Sequence, residues 1–421
     1  MKRFIPKVSK KTILILLTLI IITTLTSISA TEQNQINTTH TNHINKTETT
    51  QFKTEDTLIT DMETDDNIQE IQENTPETIY LTKSNYQNYD GSQFKDNSNI
   101  IINETLEDYY LEITNKNITI TGNNTSLINS QIVLYDDANI ILSNLTLISD
   151  DNTMYPENII IESNGNILEN LLFIDYKNRI TDDYYRTILV YGDNNIIENC
   201  IFDVIYPSMS IDWVTTTAEA RAEPIVIHGN NNTLKRNIIH VKEAENKQYP
   251  FGTIFGVSIR GNNNTVDLNE IVLDGTIYMY GMRIYKNNNL ITNNYIEVTS
   301  IRYANGISIE GRSSNNTLRN NTIILKTENT TIDNSGIIDV SYGIIITEYD
   351  YYGGIYNGEK SKTSTNIIDS NTITASSTHV YGIETFGGTN SVISNNDINV
   401  TGLSAIGIAS IGSNTQINTT K

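Results

Sequence analysis

The chain has 421 residues and a formal net charge of −21, with 28 Lys and Arg against 49 Asp and Glu. Because nucleic acids and anionic membrane surfaces repel an acidic surface, this charge argues against both as partners and is compatible with cations and neutral glycans. A single cysteine excludes an internal disulfide, so stability must come from packing and hydrogen bonds.

Residues 1–30 have the pattern of a secretory signal peptide. Five basic residues precede an apolar run from Ile13 to Leu25, and small residues then follow at Ser27, Ser29 and Ala30. The run is short for a stable membrane span, which favours a signal peptide over an uncleaved N-terminal anchor. Under either interpretation the remainder is expected outside the cell, at the surface or secreted.

Residues 31–75 consist mainly of Thr, Asn, Gln and Glu, with few large apolar side chains. Such a segment cannot bury enough surface to offset the entropy of ordering. It is therefore predicted to be a disordered linker between the signal segment and a folded domain at 76–421.

From residue 76 onward, apolar stretches alternate with polar runs of the type Gly-Asn-Asn-Asn-Thr, as at Gly261 to Thr265. After each run an apolar residue stands three positions before an Asn, and an Ile or Leu stands two positions after it. The pattern predicts a structural ladder of stacked side chains at Asn170, Asn199, Asn237, Asn269, Asn294, Asn321, Asn371 and Asn396.

A second column consists of six-residue segments with apolar side chains at alternate positions, a period typical of strands. These segments begin at Asn158, Thr187, Pro224, Gly256, Gly281, Gly306, Gly343, Gly382 and Ala405. The shortest spacings are 23 residues (405 − 382) and 25 residues (281 − 256). One repeat cannot bury its apolar stripe alone, whereas stacked repeats form a continuous core.

The sequence thus predicts an all-β, right-handed parallel β-helix, a solenoid of roughly ten coils spaced about 4.8 Å apart. The Asn runs and Lys116-Asn117-Ile118-Thr119-Ile120-Thr121-Gly122 resemble the repeats of Asn/Thr-rich, adhesin-like surface proteins of methanogenic archaea. They are also similar to the β-helix of the copper-site maturation protein of nitrous oxide reductase and of the wider pectate-lyase-like superfamily. The resemblance covers roughly residues 80–421 and implies the fold, while such folds host lyases, hydrolases, adhesins and scaffolds.

In that family the chain often continues into an attachment region, whereas this sequence ends at Thr420-Lys421 without an apolar segment. No C-terminal anchor is therefore expected.

The predicted binding face is formed by the outward residues of the six-residue segments and by aromatic residues of the flanking insertions. Loops that border a flat sheet form a groove in which aromatic rings can stack on sugars. Alternatively, Tyr and Arg simply suit a half-exposed sheet. The candidates are Tyr191, His228, Arg260, Arg283, Tyr285 and Glu310 on the strands, and Trp213, Tyr349 and Tyr352 in the insertions.

A glycoside hydrolase would need two carboxylates about 5–10 Å apart. Glu310, Glu348 and Glu384 lie in nearby coils, with Arg283 beside them, and are the candidates if the protein is an enzyme. The alternative is a solvated acidic edge. The chain lacks the paired Asp and Gly-His-Gly elements of polygalacturonases, so no catalytic set is assigned.

No metal and no cofactor are expected. The five His do not have the spacing of metal ligands, and the Asp136, Asp150 and Asp182 doublets are isolated. Cys200 is predicted to be an outward, free structural thiol, and Asp203 falls at a position where other repeats carry an inward apolar residue.

Glycosylation is expected at some of the Asn-x-Ser/Thr sequons. They include Asn37, Asn45, Asn103, Asn117, Asn144, Asn263, Asn320, Asn329 and Asn399.

Together these features favour an exported adhesin-like protein that binds a glycan or another surface polymer. Two alternatives remain open, a polysaccharide-active hydrolase or lyase and a purely structural envelope protein.

Overall fold

A computed structural model describes residues 76–176, 184–206, 221–243, 253–275, 278–301, 303–311, 313–327, 340–347, 365–386, 390–411 and 414–421. These residues belong to one compact unit, Gln72–Lys421. They form 37 β-strands, numbered in chain order, and one 3-10 turn at Tyr86–Asn88. None of the described helical structure is long and apolar enough to cross a membrane. The predicted signal peptide and linker lie outside the described residues.

Sheet A has 13 strands, most of them short. In stacking order they are β1 (Thr78–Leu81), β2 (Asn99–Ile102), β5 (Asn117–Gly122), β8 (Asn139–Ser143), β11 (Ile167–Glu169), β15 (Ile196–Glu198), β19 (Thr233–Lys235), β22 (Thr265–Asp267), β25 (Leu290–Thr292), β28 (Thr317–Arg319), β31 (Ile367–Asp369), β34 (Val392–Ser394) and β37 (Gln416–Asn418).

Sheet B has 11 strands. They are β3 (Leu106–Glu107), β6 (Ser126–Ile128), β9 (Thr146–Ser149), β12 (Leu172–Asp175), β16 (Ile201–Tyr206), β20 (Ile238–Glu243), β23 (Glu270–Gly275), β26 (Tyr295–Ser300), β29 (Thr322–Thr327), β32 (Thr372–Ser376) and β35 (Asp397–Thr401).

Sheet C has 13 strands, including two short ones, β13 (Tyr184–Tyr185) and β17 (Arg221–Ala222), that lie off the main path. The main path consists of β4 (Tyr110–Thr114), β7 (Gln131–Tyr135), β10 (Ile159–Ile161), β14 (Ile188–Val190), β18 (Ile225–Ile227), β21 (Thr253–Ile259), β24 (Tyr278–Ile284), β27 (Tyr303–Ile309), β30 (Ser341–Thr347), β33 (His379–Phe386) and β36 (Ser404–Ile411).

Each coil contributes a strand to A, then B, then C, and each strand pairs in parallel with the equivalent strand of the next coil. For example, β24 pairs with β27 so that Met282 lies beside Ile307, and β27 pairs with β30 so that Ile307 lies beside Ile344. The fold is a right-handed parallel β-helix, as the sequence predicts. Sheet B counts eleven coils, close to the predicted ten.

The core is a set of apolar columns that run along the axis of the helix. Val257, Met282, Ile307 and Ile344 are each fully buried and stack on one another across successive coils. Burying each such side chain contributes roughly 1.5–3 kcal/mol relative to leaving it exposed. The alternation of apolar residues in the sequence therefore identifies the inward face.

Sheet C bends at a column of glycines in its later coils. Two residues in succession point inward there, as Gly281 and Met282 do in β24. A Cβ on Gly281 would collide with Cγ2 of Ile296 and would lie 2.7 Å from the carbonyl oxygen of Gly306. Only glycine fits this close approach between two sheets and two coils.

A buried asparagine ladder runs through Asn237, Asn269, Asn294, Asn321, Asn371 and Asn396. Each amide Nδ2 in the middle of the ladder donates to Oδ1 of the next member, as from Asn294 to Asn321 at 3.0 Å. A second buried ladder that the sequence rule did not identify joins Asn166, Asn195, Asn232, Asn264, Asn289, Asn316 and Asn366 through backbone N–H to Oδ1 bonds.

Asn170 and Asn199 were wrongly included in the first ladder. Both lie one residue earlier, in the left-handed region with φ of 56° and 54°. In their coils Leu171 and Cys200 occupy the ladder position. Ile197, not Ile196, pairs with Leu234, and because Ile196 and Ile197 are both apolar, spacing alone could not distinguish them.

The same one-residue shift corrects the predictions for Cys200 and Asp203. Cys200 is 1 % exposed, and its backbone N–H donates to Oδ1 of Asn237 at 2.9 Å, so it points inward. Burial raises the pKa of its thiol to about 12. Asp203 pairs with His240 and is not in an inward position.

The last six-residue segment was placed two residues too early. Ile383 pairs with Ile408 rather than with Ile406, so the segment begins at Gly407. Ile406 instead pairs with Tyr381, on the outer side of the sheet before the glycine bend. Because Ile406 and Ile408 are both apolar, the sequence pattern could not distinguish them.

Candidate functional site

The solvent side of sheet C, called here the outer face, carries three rows of side chains parallel to the axis. The first row precedes the glycine bend and contains Glu157, Arg186, Glu223, Phe255, Tyr280, Asn305, Tyr342 and Tyr381. The second contains Leu189, Val226, Ser258, Arg283, Ser308, Ile345 and Glu384, and the third Thr114, Tyr135, Glu162, Tyr191, His228, Arg260, Tyr285, Glu310 and Thr347.

The centre of the outer face is a buried ion pair between Arg283 and Glu310. Arg283 is 1 % exposed and Glu310 is 3 % exposed. Nη2 of Arg283 donates to Oε2 of Glu310, and Oγ of Ser308 donates to Oε1 at 2.9 Å. Burial lowers the pKa of Arg283, but the charge and hydrogen bond of Glu310, together with Tyr285 and Tyr280, outweigh this effect and raise it, so the guanidinium is charged.

Aromatic rings surround this guanidinium. Its central carbon lies 4.4 Å from the ring centroid of Tyr285, 4.9 Å from that of Phe255 and 5.9 Å from that of Tyr280. Such contacts between a desolvated cation and ring faces are worth about 2 kcal/mol each at most. Arg283, in the second row, thus contacts rings of both the first and the third row and holds Tyr285 in place.

A second ion pair joins Arg260 to Glu223. Glu223 is fully buried, and the Arg260 side chain is 20 % exposed. Nε of Arg260 lies 3.3 Å from Oγ of Ser258, and its guanidinium lies 5.7 Å from the Tyr285 ring. Sequence analysis did not select Glu223 as a site residue, although it stands two residues before the inward Ile225.

The middle of the third row contains a partly exposed stacked pair, Tyr191 and His228. Their ring centroids are 4.8 Å apart at an angle of 21°, and Tyr191 is 47 % exposed. Burial, together with the positive charges of Arg260 and Arg186, lowers the pKa of His228 to about 4. The imidazole is therefore neutral near pH 7.

The later coils of the outer face, toward the C-terminus, carry a run of tyrosines. Ring centroids are 5.7 Å apart for Tyr280 and Tyr303, 6.1 Å for Tyr303 and Tyr342, and 5.5 Å for Tyr342 and Tyr381. The last three are half-buried. The repeated aromatic-Gly dipeptide, as in Tyr342-Gly343, is the sequence signal that could have identified this row.

Glu384 lies next to this run and is 7 % exposed. Burial raises the pKa of its carboxyl, and a hydrogen bond from Tyr342 opposes that shift.

Six predicted binding residues thus share one face: Tyr191, His228, Arg260, Arg283, Tyr285 and Glu310. Direct ligand contact was wrongly expected of Arg283 and Glu310, because both are buried and bonded to each other. Trp213, Tyr349, Tyr352 and Glu348 lie outside the described residues.

The predicted carboxylate pair is not formed by Glu310 and Glu384. Two coils separate them, about 10 Å along the axis and about 7 Å along the strands. Glu310 bonds to Arg283, whereas Glu384 bonds to Tyr342. Across the described ranges, no three or more His, Cys, Asp or Glu side chains are grouped to hold a metal ion.

No protein-family model matches the chain, and no curated protein matches it in sequence. Among solved structures, it is similar to a tailspike protein mutant of the E. coli bacteriophage HK620 in complex with a pentasaccharide, with a TM-score of 0.45 and 10 % identity over 80 % of this chain. The chain spans 58 % of that tailspike chain.

Two further similar structures are polysaccharide-degrading enzymes. A PL6 alginate lyase in complex with a trisaccharide has a TM-score of 0.37 and 13 % identity, over 83 % of this chain and 87 % of that one. Endopolygalacturonase I from Stereum purpureum, complexed with two galacturonate, has a TM-score of 0.34 and 14 % identity, over 82 % and 99 %.

Proposed function

We propose that this protein is an exported, adhesin-like protein that binds an extended glycan or similar polymer along the outer face of sheet C. The carrying observation is that the face has two partly exposed groups of aromatic rings, Tyr191–His228 and Tyr303–Tyr342–Tyr381, with Arg260 and Tyr285 between them. Aromatic faces flanked by a few polar groups suit the apolar faces and hydroxyls of sugar rings.

The repeat distance of the fold also suits a polymer. Neighbouring strands lie about 4.8 Å apart, so side chains of one row recur at a distance close to the length of one sugar unit. From Tyr191 to Tyr381 the face crosses six steps between coils, about 29 Å. An oligosaccharide of about six units would therefore contact both Tyr191 and Tyr381.

The buried ion pairs support the contact residues from below. Arg283 holds Tyr285 through a cation–π contact, and Glu310 fixes Arg283. We assign these two residues a positioning role, while Tyr191, His228, Arg260, Tyr285 and Tyr381 would touch the ligand.

Export is part of this proposal and rests on the signal-peptide pattern of residues 1–30. N-terminal sequencing of the protein from its native culture, with fractionation of cells and medium, tests it. An exported chain would also expose sequons such as Asn263, whose side chain is exposed at a corner; mass spectrometry of tryptic glycopeptides would show whether it is modified.

A glycan array that includes neutral and uronate polymers tests binding. Tyr191→Ala and Tyr381→Ala should each weaken binding about two- to twelvefold, since stacking on one ring contributes about 0.5–1.5 kcal/mol. Tyr80→Ala is the matched control, because Tyr80 is 55 % exposed on the outside of sheet A. Equal losses in all three variants would contradict the proposed face.

An enzyme that acts on a polysaccharide is the second candidate, favoured by Glu384. A buried carboxyl with a raised pKa, bonded to Tyr342, has the property that a general acid requires. Release of reducing or unsaturated ends from uronate and neutral glycans would reveal turnover. Turnover abolished by Glu384→Gln in a folded protein would replace the binding proposal, whereas neither binding nor turnover would leave a structural envelope role.

A further inference from the structure

The outer face ends in a cleft at the N-terminal coil, where the third row begins with Thr114. Its volume is about 410 Å³, and it is lined by Asp90, Ser92, Tyr110, Glu112, Thr114 and Lys116. The outward side chains of β4 form the floor, and the segment Asp90–Ser92 forms one wall.

The wall is firmly attached to the floor. The backbone N–H of Glu112 donates to the carbonyl oxygen of Asp90 at 3.0 Å. Nζ of Lys116 donates to the carbonyl oxygens of Gly91 and Ser92 at 2.7 and 2.8 Å. Gly91 has a φ of 104°, and a Cβ there would collide with the carbonyl oxygen of Glu112, so the close approach requires glycine.

This wall closes the outer face. β4 is the terminal strand of sheet C at this end, and Asp90 pairs with its outer edge. The rows of outward side chains therefore end at β4, and a polymer that follows them toward the N-terminal coil reaches the segment Asp90–Ser92 at its last position.

The lining combines an aromatic ring with groups that bind hydroxyls. Tyr110 is 38 % exposed and stacks on Tyr155, with ring centroids 5.9 Å apart. Its hydroxyl donates to Oε2 of Glu112 at 2.8 Å, which leaves Oε1 for a ligand hydroxyl. Hydrogen bonds from Ser92 lower the pKa of Asp90, so this carboxylate is ionised.

The charges of the cleft residues indicate which class of sugar the cleft binds. Two carboxylates stand against the single cation Lys116, which disfavours uronates and other anionic sugars. A divalent cation would need more carboxylate or His ligands than the described part of the cleft contains. A neutral hexose, with an apolar ring face and several hydroxyls, matches the lining.

The cleft also lies in line with the third row. Thr114 of the cleft pairs with Tyr135, and Glu162 and Tyr191 follow in the next two coils. The cleft is thus three coils, about 14 Å, from the Tyr191–His228 stack. The cleft and the exposed aromatic pair are positions along one track.

We propose that this cleft is a chain-end subsite, which binds the terminal neutral hexose of a polymer that lies along the outer face. This inference rests on the proposed function, because it assigns one end of the same ligand. It adds that the protein recognises ends of chains rather than their interior.

The test uses neutral hexasaccharides of β-1,4-linked glucose, mannose and galactose with the full chain. Whichever binds is compared with versions whose non-reducing end carries a 4,6-O-benzylidene group or whose reducing end is reduced to an alditol. One of these blocks should weaken binding at least tenfold in isothermal titration calorimetry. Glu112→Gln should weaken binding of the free hexasaccharide about tenfold and have little further effect on the blocked one.

Glu107→Gln is the matched control, because Glu107 is exposed in the same coil on the outside of sheet B. Tyr110→Leu gives a second, independent variant, and circular dichroism checks that each remains folded. If Tyr191→Ala abolishes binding while end blocks, Glu112→Gln and Tyr110→Leu leave it unchanged, the chain-end inference is wrong and the proposed function stands. If no hexasaccharide and no arrayed glycan binds, both are wrong.

Discussion

The substitution Asn294→Ala tests whether the buried asparagine ladder stabilises the stack of coils. Nδ2 of Asn294 donates to the carbonyl oxygen of Val266 at 2.9 Å and to Oδ1 of Asn321 at 3.0 Å. Its Oδ1 accepts from the backbone N–H and from Nδ2 of Asn269, both at 3.0 Å. The side chain thus connects three coils.

Alanine would leave the buried backbone N–H of Asn269 without the acceptor that Asn294 supplies, and would remove the hydrogen bonds of Nδ2 to Val266 and Asn321. Because an unsatisfied buried group costs about 1–3 kcal/mol and each lost hydrogen bond about 0.5–1.5 kcal/mol, we expect a loss of about 2–6 kcal/mol in the free energy of unfolding. In a repeat protein, such damage is concentrated in the coils next to the substitution.

Urea denaturation gives the global loss, and hydrogen exchange with mass spectrometry locates it. Exchange should accelerate in β22, β25 and β28 and change little in β2 and β5. Asn263→Gly is the control, because Asn263 is exposed with a φ of 57° that glycine adopts without strain; its effect should stay within about 0.5 kcal/mol. A loss below about 0.5 kcal/mol for Asn294→Ala, with unchanged exchange, would refute the reasoning.

Two further predictions concern the core and pH. Ile271→Asp places an unpaired charge at a fully buried position, so it should lower the free energy of unfolding by more than about 4 kcal/mol or prevent folding. Val272→Asp, on the outside of the same strand, is its control. If thermal denaturation shows the same melting temperature for both variants, the assigned register is wrong. For His228, the fold lowers the pKa from 6.5 to about 4, so the unfolded chain binds a proton at higher pH than the folded one. Stability should therefore fall as the pH drops from about 6.5 towards 4, and His228→Asn should flatten that part of the curve; identical pH profiles for both proteins would contradict it.

Periodicity was sufficient for the fold because a stacked coil repeats its environment. The apolar alternation of Val257, Met282 and Ile307 indicates both strands and their inward face, and identical residues recur because identical positions stack. The bend glycines also follow from sequence, since Gly256, Gly281 and Gly306 stand directly before those inward residues.

Register was less secure where a neighbouring residue could also satisfy the pattern. Asn199 was assigned to the ladder position of Cys200 because Ile196 and Ile197 are both apolar, and Ile406 was assigned the place of Ile408 because these two are also both apolar. Only strand pairing between coils resolves such ambiguities, because a hydrogen-bonded ladder permits one alignment.

The site depended most on tertiary structure. By itself, the sequence determined that Arg260, Arg283, Tyr285 and Glu310 share a face, because period two and the coil repeat fix the direction of each side chain. Only the fold decided that Arg283 and Glu310 neutralise each other in a buried pair, since burial depends on side chains from several coils. Likewise, only the fold decided that Asp90–Ser92 lies against β4 and closes the end of that face, because this segment belongs to no repeat and its place is set by contacts distant in sequence.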